Sequence, residues 1–560
     1  MLTKPLNTIN RLSSKKSLKY TLYLSAIIIF FAIILVPPII GILTKTGSLQ
    51  NVLDNPSLMN TALYAIAASF IIGLVVSALD LLAGIPLAWY ITRGKSRWLT
   101  ILDTLADLPF VVPTAALGYS LLLFWSSSGG ISDLFGHPFV SPGWLLIMLL
   151  HFTFSFPVVV RVIVGAMLDY KMEYERASRT LGAPPLTASR TVTFPIIKPS
   201  IIAAYTLAFA RSLSETGATF IVAAGVFLNG PVFIQTVSNQ FKAGTISQGT
   251  YEGATVFASL ILIVVSLTIF VLIRIIGQRL KLPFGHGLPN FEKKLSYKKA
   301  AWTRNGIALG VFLIIVLLPS MFVALPAFQA ISAGTLTAAF TASGVWASYW
   351  QSLALSYTLG AVVTVLGIAL GLPMAILISR KTFGKLFSAI LDTLINVPII
   401  VPSIALGVSL KFFWSNISGI PEFLLLVFAH LAITYPYFVR SMSAAMERIS
   451  IDMEEAAKTL GAKPFTVFRT IVWPITKYSI LSGAIIVFTR SVSETGATLA
   501  VASKLQTAPV LIVNWVNSIR GGTPIAGIDS LTVGLGCGLL ILFSFIILLV
   551  LRLLTKKEKY

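Results

Sequence analysis

Charge is what this chain has least of. Only 11% of its 560 residues are Asp, Glu, Lys or Arg, against 56% hydrophobic. An ordinary soluble domain carries about 25% charged residues, so that class is excluded and a polytopic membrane protein is indicated. Cysteine is nearly absent. Cys537 stands alone, which removes a disulfide framework and a thiolate metal site. The four histidines, His137, His151, His286 and His430, are too scattered for a metal cluster. No Ser-His-Asp, paired-carboxylate or His-Cys constellation supports an enzyme. A Walker A loop is missing as well: the single G-K-S, at Gly94, Lys95 and Ser96, has Trp89 where the first glycine belongs. Acidic residues are also few, and the net charge is +22. Nucleic acid is nevertheless not the expected partner, because about 33 of the 42 Lys and Arg fall on one side of the predicted membrane, which is positive-inside bias.

What is present is a series of apolar runs of roughly 20 residues, long enough to cross a hydrocarbon core. Arg11, Lys15, Lys16 and Lys19 precede the first run. That run is too long for a signal peptide and lacks a small-x-small cleavage site, so a retained span with a cytoplasmic N-terminus is expected. Spans are expected at 22–43, 60–91, 104–125, 143–168, 199–222 and 253–277. Six more are expected at 306–330, 350–378, 392–414, 422–446, 479–502 and 530–553, which also leaves the C-terminus cytoplasmic. The loops alternate accordingly. Arg93, Lys95 and Arg97 follow span two and Arg380, Lys381 and Lys385 follow span eight, whereas 126–142, 331–349 and 415–421 hold no Lys or Arg.

A basic, Gly- and Pro-containing connector at about 278–305 divides the chain into halves 1–290 and 291–560. The halves repeat. DTLADLPFVVPTAALGYSLLLFW (103–125) matches DTLINVPIIVPSIALGVSLKFFW (392–414) at 13 of 23 positions, and RSLSETGAT (211–219) matches RSVSETGAT (490–498) at all but one. FPVVVR (156–161) answers YPYFVR (435–440). Six spans per half insert both copies the same way up. The fold class expected is therefore all-α, with two tandem parallel six-helix repeats and a path between them.

The stretch that organises the rest is also duplicated. It reads EYERASRTLGAPPLTASRTVTFP (173–195) and DMEEAAKTLGAKPFTVFRTIVWP (452–474). Each copy lies on a predicted inner loop. Its first part is rich in helix formers. Gly182 and Gly461 then suit a left-handed helix end, and Pro184, Pro185 and Pro464 suit the first turn of a second, short helix. A helix, Gly turn and helix protruding twice from a membrane domain suggests two equivalent docking events.

The pattern E-A-A, three residues, G, nine residues, I-x-(L)-P resembles the permease subunits of binding-protein-dependent ABC importers. Glu455, Ala456, Ala457, Gly461, Ile471 and Pro474 match it in the second half. The first half departs from it: Arg176, Ala177 and Ser178 take the E-A-A positions, Glu175 lies adjacent, and Gly182 and Pro195 are kept. Phe194 and Trp473 replace the usual Leu. The resemblance implies a prokaryotic inner-membrane permease whose two loops couple to two copies of a cytoplasmic ABC ATPase. ATP and Mg would be used by that partner and no cofactor held by this chain. An extracytoplasmic binding protein would deliver the solute. The D-T-L and R-S-x-S-E-T-G-A segments resemble the sulfate, molybdate and tungstate group, while fusion of two halves resembles the ferric iron and thiamine systems.

Charges inside the spans are candidates for the path or its gate. Arg211 with Glu215, and Arg490 with Glu494, stand four apart, on one face of a continuous helix. They either border the path or neutralise each other. Arg161 and Arg440 either attract an anion or close an inner gate, or else snorkel or pair with helix-end carbonyls. His151 and His430 are expected as buried packing residues. Pro109, Pro113, Pro398 and Pro402 should bend spans three and nine. Gly217 and Gly496 permit close helix approach or local unwinding. The alternative architecture is a twelve-span secondary transporter driven by an ion gradient.

Overall fold

A computed structural model describes residues 10–11, 13–94, 96, 98–126, 130–134, 136–223, 225–279, 289–521 and 525–555. Lys95, Arg97 and residues 280–288 of the connector, which include Lys281 and His286, lie outside these. Among the described residues the chain is helical, with no strand. The first half contains α1 (Lys16–Leu43), α2 (Pro56–Arg93), α3 (Trp98–Phe110), α4 (Thr114–Ser126) and α5 (Trp144–Asp169). It continues with α6 (Met172–Thr180), α7 (Pro185–Ser214), α8 (Gly217–Ala223), α9 (Gly230–Lys242) and α10 (Gln248–Arg279). A connector helix, α11 (Pro289–Leu295), follows. The second half repeats the order as α12 (Lys299–Ser332), α13 (Val345–Ser379), α14 (Lys385–Ile400), α15 (Ser403–Trp414) and α16 (Glu422–Glu447). Then come α17 (Ile451–Thr459), α18 (Pro464–Val492), α19 (Gly496–Val501), α20 (Ala508–Arg520) and α21 (Ser530–Thr555). Ten of the described helices are long and apolar enough to cross a membrane, twelve when each of two bent pairs is taken as one span.

Those bent pairs are the expected spans three and nine. α3 meets α4 at 105° and α14 meets α15 at 104°, far beyond an ordinary proline kink. Val112 and Val401 are the cause. Each precedes a proline, which disfavours the helical well, and here their ψ angles are 122° and 130°. Each helix therefore stops and restarts at Thr114 or Ser403.

Proline also explains a second regularity. Wide π-helical turns occupy Phe30–Leu35, Ser189–Thr193, Phe312–Leu317 and Phe468–Val472. Each ends two residues before a proline: Pro37, Pro195, Pro319 and Pro474. A proline inside a helix removes a donor and crowds the carbonyl four residues back, and a wide turn relieves that crowding. Pro195 and Pro474 of the duplicated motif thus mark where a π turn passes into the long helix of span five or eleven. The helix after each Gly turn is accordingly not short; it runs on into the span as α7 or α18.

In each half a three-helix core, α2, α5 and α7 or α13, α16 and α18, packs tightly. The leading helix of each half crosses to the other. α1 packs on α15 and α13, and α12 packs on α4 and α2. Hydroxyls complete the crossing: Ser409 Oγ accepts from Ile42 N (3.0 Å) and donates to the Pro37 carbonyl (3.2 Å). Ser120 Oγ likewise accepts from Val323 N (2.8 Å) and donates to the Pro319 carbonyl (2.6 Å).

Spans five and eleven are not the continuous helices expected at 199–222 and 479–502. The first breaks between Ser214 and Gly217, the second between Val492 and Gly496. The short helices beyond the breaks, α8 and α19, pack on α4 and α15, and A-L-G permits the approach. A Cβ on Gly118 would lie 2.7 Å from the Ala218 Cα, and one on Gly407 would lie 2.8 Å from the Ala497 Cα. The connections after them also hold buried helices, α9 and α20, where no element was expected.

Because these neighbours are backbone, they cannot rotate aside. Gly118→Val or Gly407→Val should lower stability by at least about 1–3 kcal/mol, the usual overpacking cost. Gly165→Ala, where a Cβ meets nothing within 4 Å, should hold or slightly raise it. Thermal unfolding in detergent distinguishes the two classes, and equal melting temperatures would refute the packing argument.

Candidate functional site

A helix broken inside an apolar medium exposes carbonyls and N–H groups that need partners. The R-S-x-S-E-T-G-A-T segments supply them residue by residue. Glu215 and Glu494 sit at the breaks, and their Oε1 atoms accept from Ala218 N (2.9 Å) and Ala497 N (3.1 Å). Each carboxylate therefore caps the N-terminus of the short helix that follows, where a negative charge is favourable. His151 bridges the same gap: Nδ1 is hydrogen-bonded to Ser212 Oγ (2.7 Å) and Nε2 to Thr219 Oγ1 (2.9 Å). His430 repeats this with Ser491 and Thr498, both at 2.9 Å. Both histidines are buried, as expected. Their work is to staple helix to helix across a break.

One carbonyl at each break is satisfied by the opposite half. Ser403 Oγ donates to the Ser214 carbonyl and Thr114 Oγ1 to the Ser493 carbonyl, each at 3.0 Å. The breaks also abut. A Cβ on Gly217 would lie 2.5 Å from Thr495 Cβ, and one on Gly496 would lie 2.7 Å from Thr216 Oγ1. Reciprocal contacts between equivalent residues are what a two-fold relation between halves produces. The space between the halves is closed here by backbone, threonine and serine.

Three buried charges, Glu215, Arg490 and Glu494, and the partly buried Arg211 flank the junction. Arg490 pairs with Glu494 at 2.8 Å. Arg211 does not pair with Glu215, although Arg490 reaches Glu494 across the equivalent break. Its guanidinium lies instead 3.8 Å from the centre of the Phe154 ring, a cation–π contact. Its Nε is buried without a hydrogen-bond partner. Ile433 stands where the repeat would place a second Phe, so this arrangement is one-sided. Arg211 and Arg490 feel each other, and Glu215 and Glu494 act on both.

Arg161 and Arg440 bind carboxylate and amide side chains of the bent spans, partners that the sequence reading did not assign. Arg161 donates to Asp103 Oδ1 at 2.8 Å and also bonds Asp107 and the Asp103 carbonyl. Arg440 donates to Asn396 Oδ1 (2.8 Å) and Asp392 Oδ1 (3.3 Å). They hold α3 to α5 and α14 to α16. The signal was present: Asp103 and Asp392 open the repeated D-T-L.

In the duplicated loops, Gly182 and Gly461 take φ of +92° and +87°. The N–H groups of Gly182 and Ala183 bond the Arg179 and Ser178 carbonyls, and those of Gly461 and Ala462 bond the Lys458 and Ala457 carbonyls. This is a Schellman helix end, as expected. The tip residue before each glycine, Leu181 or Leu460, is 89% exposed. Arg176, Ala177, Glu455 and Ala456 are exposed, and Ala457 is half-buried. Glu175 points the other way. It is 5% exposed and holds Arg93 at 3.0 Å and Thr193 at 3.1 Å. Its equivalent is Glu454, on Arg380 at 2.6 Å. This pair anchors each loop to the end of span two or eight.

The segments that lead into each half hold the other half's loop. Glu292 of α11 binds Thr187 and accepts from Arg190 Nε at 2.6 Å, while Ser296 Oγ accepts from Leu186 N at 3.2 Å. Those bonds keep the Glu292 carboxyl below the usual carboxylate range. On the second loop Ser13 Oγ accepts from Phe465 N at 3.2 Å, and Asn10 Oδ1 accepts from Thr466 Oγ1 at 2.9 Å.

This duplicated geometry coincides with a duplicated family match. The family described as binding-protein-dependent transport system inner membrane component matches residues 80–282 and again 364–559. The chain belongs to this family. Single-half relatives cover about half of it. The sulfate transport system permease protein CysT of Salmonella typhimurium is 30% identical over 259 residues, 45% of this chain and 90% of the relative. The Escherichia coli protein of the same name is 29% identical over 259 residues, again 45% of this chain and 90% of the relative. The molybdenum transport system permease protein ModB of Escherichia coli is 37% identical over 157 residues, 27% of this chain and 68% of the relative. As a member of this family, the chain is a multi-pass permease of the inner membrane.

The one-sided charge arrangement predicts unequal mutants. Glu494→Gln leaves Arg490 as a buried cation without its carboxylate, a change that costs about 3–5 kcal/mol. Glu215→Gln keeps an acceptor for Ala218 and breaks no direct ion pair, so it should cost clearly less. Thermal unfolding of the two variants checks this, and equal losses would count against the assignment.

Proposed function

We propose that the chain forms the membrane path of an ATP-driven importer for an inorganic oxyanion of the sulfate and molybdate type. The duplicated loop carries this reading. Each copy ends in a left-handed glycine beside an exposed leucine and is anchored from behind by a largely buried Glu–Arg pair. Such a protrusion suits a cleft on a partner, and two copies suit two cytoplasmic ATPase subunits, which would use the ATP and Mg. Glu455, Ala456, Ala457 and the surroundings of Gly182 and Gly461 would form the contact. Glu175 would position its loop rather than touch the partner. An extracytoplasmic binding protein would load the opposite face, with both termini on the ATPase side.

Closure of the ATPases would pull the two loops together and rotate the halves about their junction, parting the breaks at Glu215 and Glu494. This is a two-state element biased by ligands at both faces. The likeness to sulfate and molybdenum permeases favours an oxyanion. Arg211, with no paired carboxylate, agrees with an anionic solute and argues against ferric iron or thiamine, both cations. The family match does not favour an ion-gradient transporter.

Uptake by proteoliposomes holding the chain and its co-purifying ATPase tests this reading. Labelled sulfate or molybdate should enter only with internal ATP and the binding protein. Gly461→Asp should abolish uptake while leaving the chain inserted, because an L-residue in the left-handed region costs about 1–2 kcal/mol and a carboxylate would occupy the interface. Undiminished transport by Gly461→Asp would sink the docking role, and uptake driven by an ion gradient alone would replace the importer reading.

A further inference from the structure

A cavity of about 810 Å³ opens between α2, α5 and α12, all three long enough to span the membrane. Its walls are apolar, with Leu82 and Pro86 on one side, Leu149 on the second and Ile307 on the third. Among the described residues one cation lines it, Arg304. Among the described residues this guanidinium has no carboxylate partner. Its Nε and Nη2 donate to the neighbouring Asn305 Oδ1 at 3.1 and 2.8 Å. The repeat does not require an arginine here. Pro37 and Pro319 make equivalent contacts, and the same offset of 282 places Leu22 opposite Arg304. A partly buried cation over an apolar groove in a spanning region matches an amphiphile with a negative head and hydrocarbon tails.

We propose that this groove binds one anionic phospholipid, its phosphate on Arg304 and its acyl chains along the apolar walls. The site has a structural consequence. Leu295, the last residue of α11, also lines it. Glu292 and Ser296, on either side of Leu295, are the groups that hold Leu186, Thr187 and Arg190 of the first coupling loop. A lipid seated against Leu295 steadies that hold. The second loop is held by Asn10 and Ser13, next to a first span with no such arginine, so the lipid acts on one loop only.

Native mass spectrometry of the full chain in detergent, titrated with phosphatidylglycerol or phosphatidylcholine, tests this. The wild type should retain one phosphatidylglycerol in preference to phosphatidylcholine. Arg304→Gln should weaken that retention about five-fold, the worth of one basic residue at a lipid headgroup, without changing phosphatidylcholine. Leu82→Trp, which narrows the groove from an exposed position, should lower both. Amide exchange at 186–190 should slow on adding phosphatidylglycerol to the wild type and stay unchanged in Arg304→Gln. Equal retention of both lipids by the wild type, or wild-type retention of phosphatidylglycerol by Arg304→Gln, overturns the proposal. If Arg304→Gln does not fold, the wild-type comparison of the two lipids decides alone.

Discussion

A backbone break buried in a membrane protein needs partners for the groups it frees, and this chain supplies side chains for them twice at its centre. Water cannot supply the bonds, so side chains must. Glu215 and Glu494 serve the N–H groups beyond each break, and Ser403 and Thr114 of the opposite half serve carbonyls before it. Neither half is complete without the other. The junction between the halves is therefore more than a packing surface: it is where each half's hydrogen bonding is finished. The bent spans follow from the same demand, because only a helix that restarts at Thr114 or Ser403 brings its first hydroxyl to the neighbouring break.

The crossing of the leading helices extends this dependence to the periphery. α1 and α12 each carry a proline whose associated carbonyl is satisfied by a serine of the other half. The segments before them also hold the other half's loop. A displacement of either loop loads the Arg93 or Arg380 anchor and, through α11 or the N-terminal segment, the opposite half. Each loop is thus tied to both halves, even though the two surfaces differ at Arg176 and Glu455.

Much of this was legible in the sequence because it is written twice. Span count, the repeat, the helix ends at Gly182 and Gly461 and the burial of both histidines follow from periodicity, charge and turn chemistry. What was not legible is long-range. R-S-x-S-E-T-G-A-T read as a continuous helix puts Arg211 and Glu215 on one face, and only tertiary partners reveal a helix that ends between them. The proline spacing announces a bend but not one near a right angle. Asp103 and Asp392 were visible within D-T-L, yet their pairing with Arg161 and Arg440 requires knowing which spans are neighbours. Glu175 looked like an imperfect match to a docking residue. The repeat already aligns it with Glu454; what the sequence did not show is that both turn inward onto an arginine.

The departures from symmetry are informative for the same reason. Where the halves agree, as at the staples, the caps and the A-L-G approaches, the residues close hydrogen bonds or admit backbone, and neither copy can change alone. Where they differ, the element is under no such joint constraint. Phe154 in place of Ile433 leaves Arg211 on a ring while Arg490 is ion-paired, Asp107 in place of Asn396 adds a charge beneath Arg161, and Glu292 replaces a neutral hold by an ionic one. Fusion of the halves into one chain is what permits this. In a dimer of identical subunits every substitution appears at both positions, whereas here one Arg can stay free of a carboxylate while its counterpart keeps the junction stable.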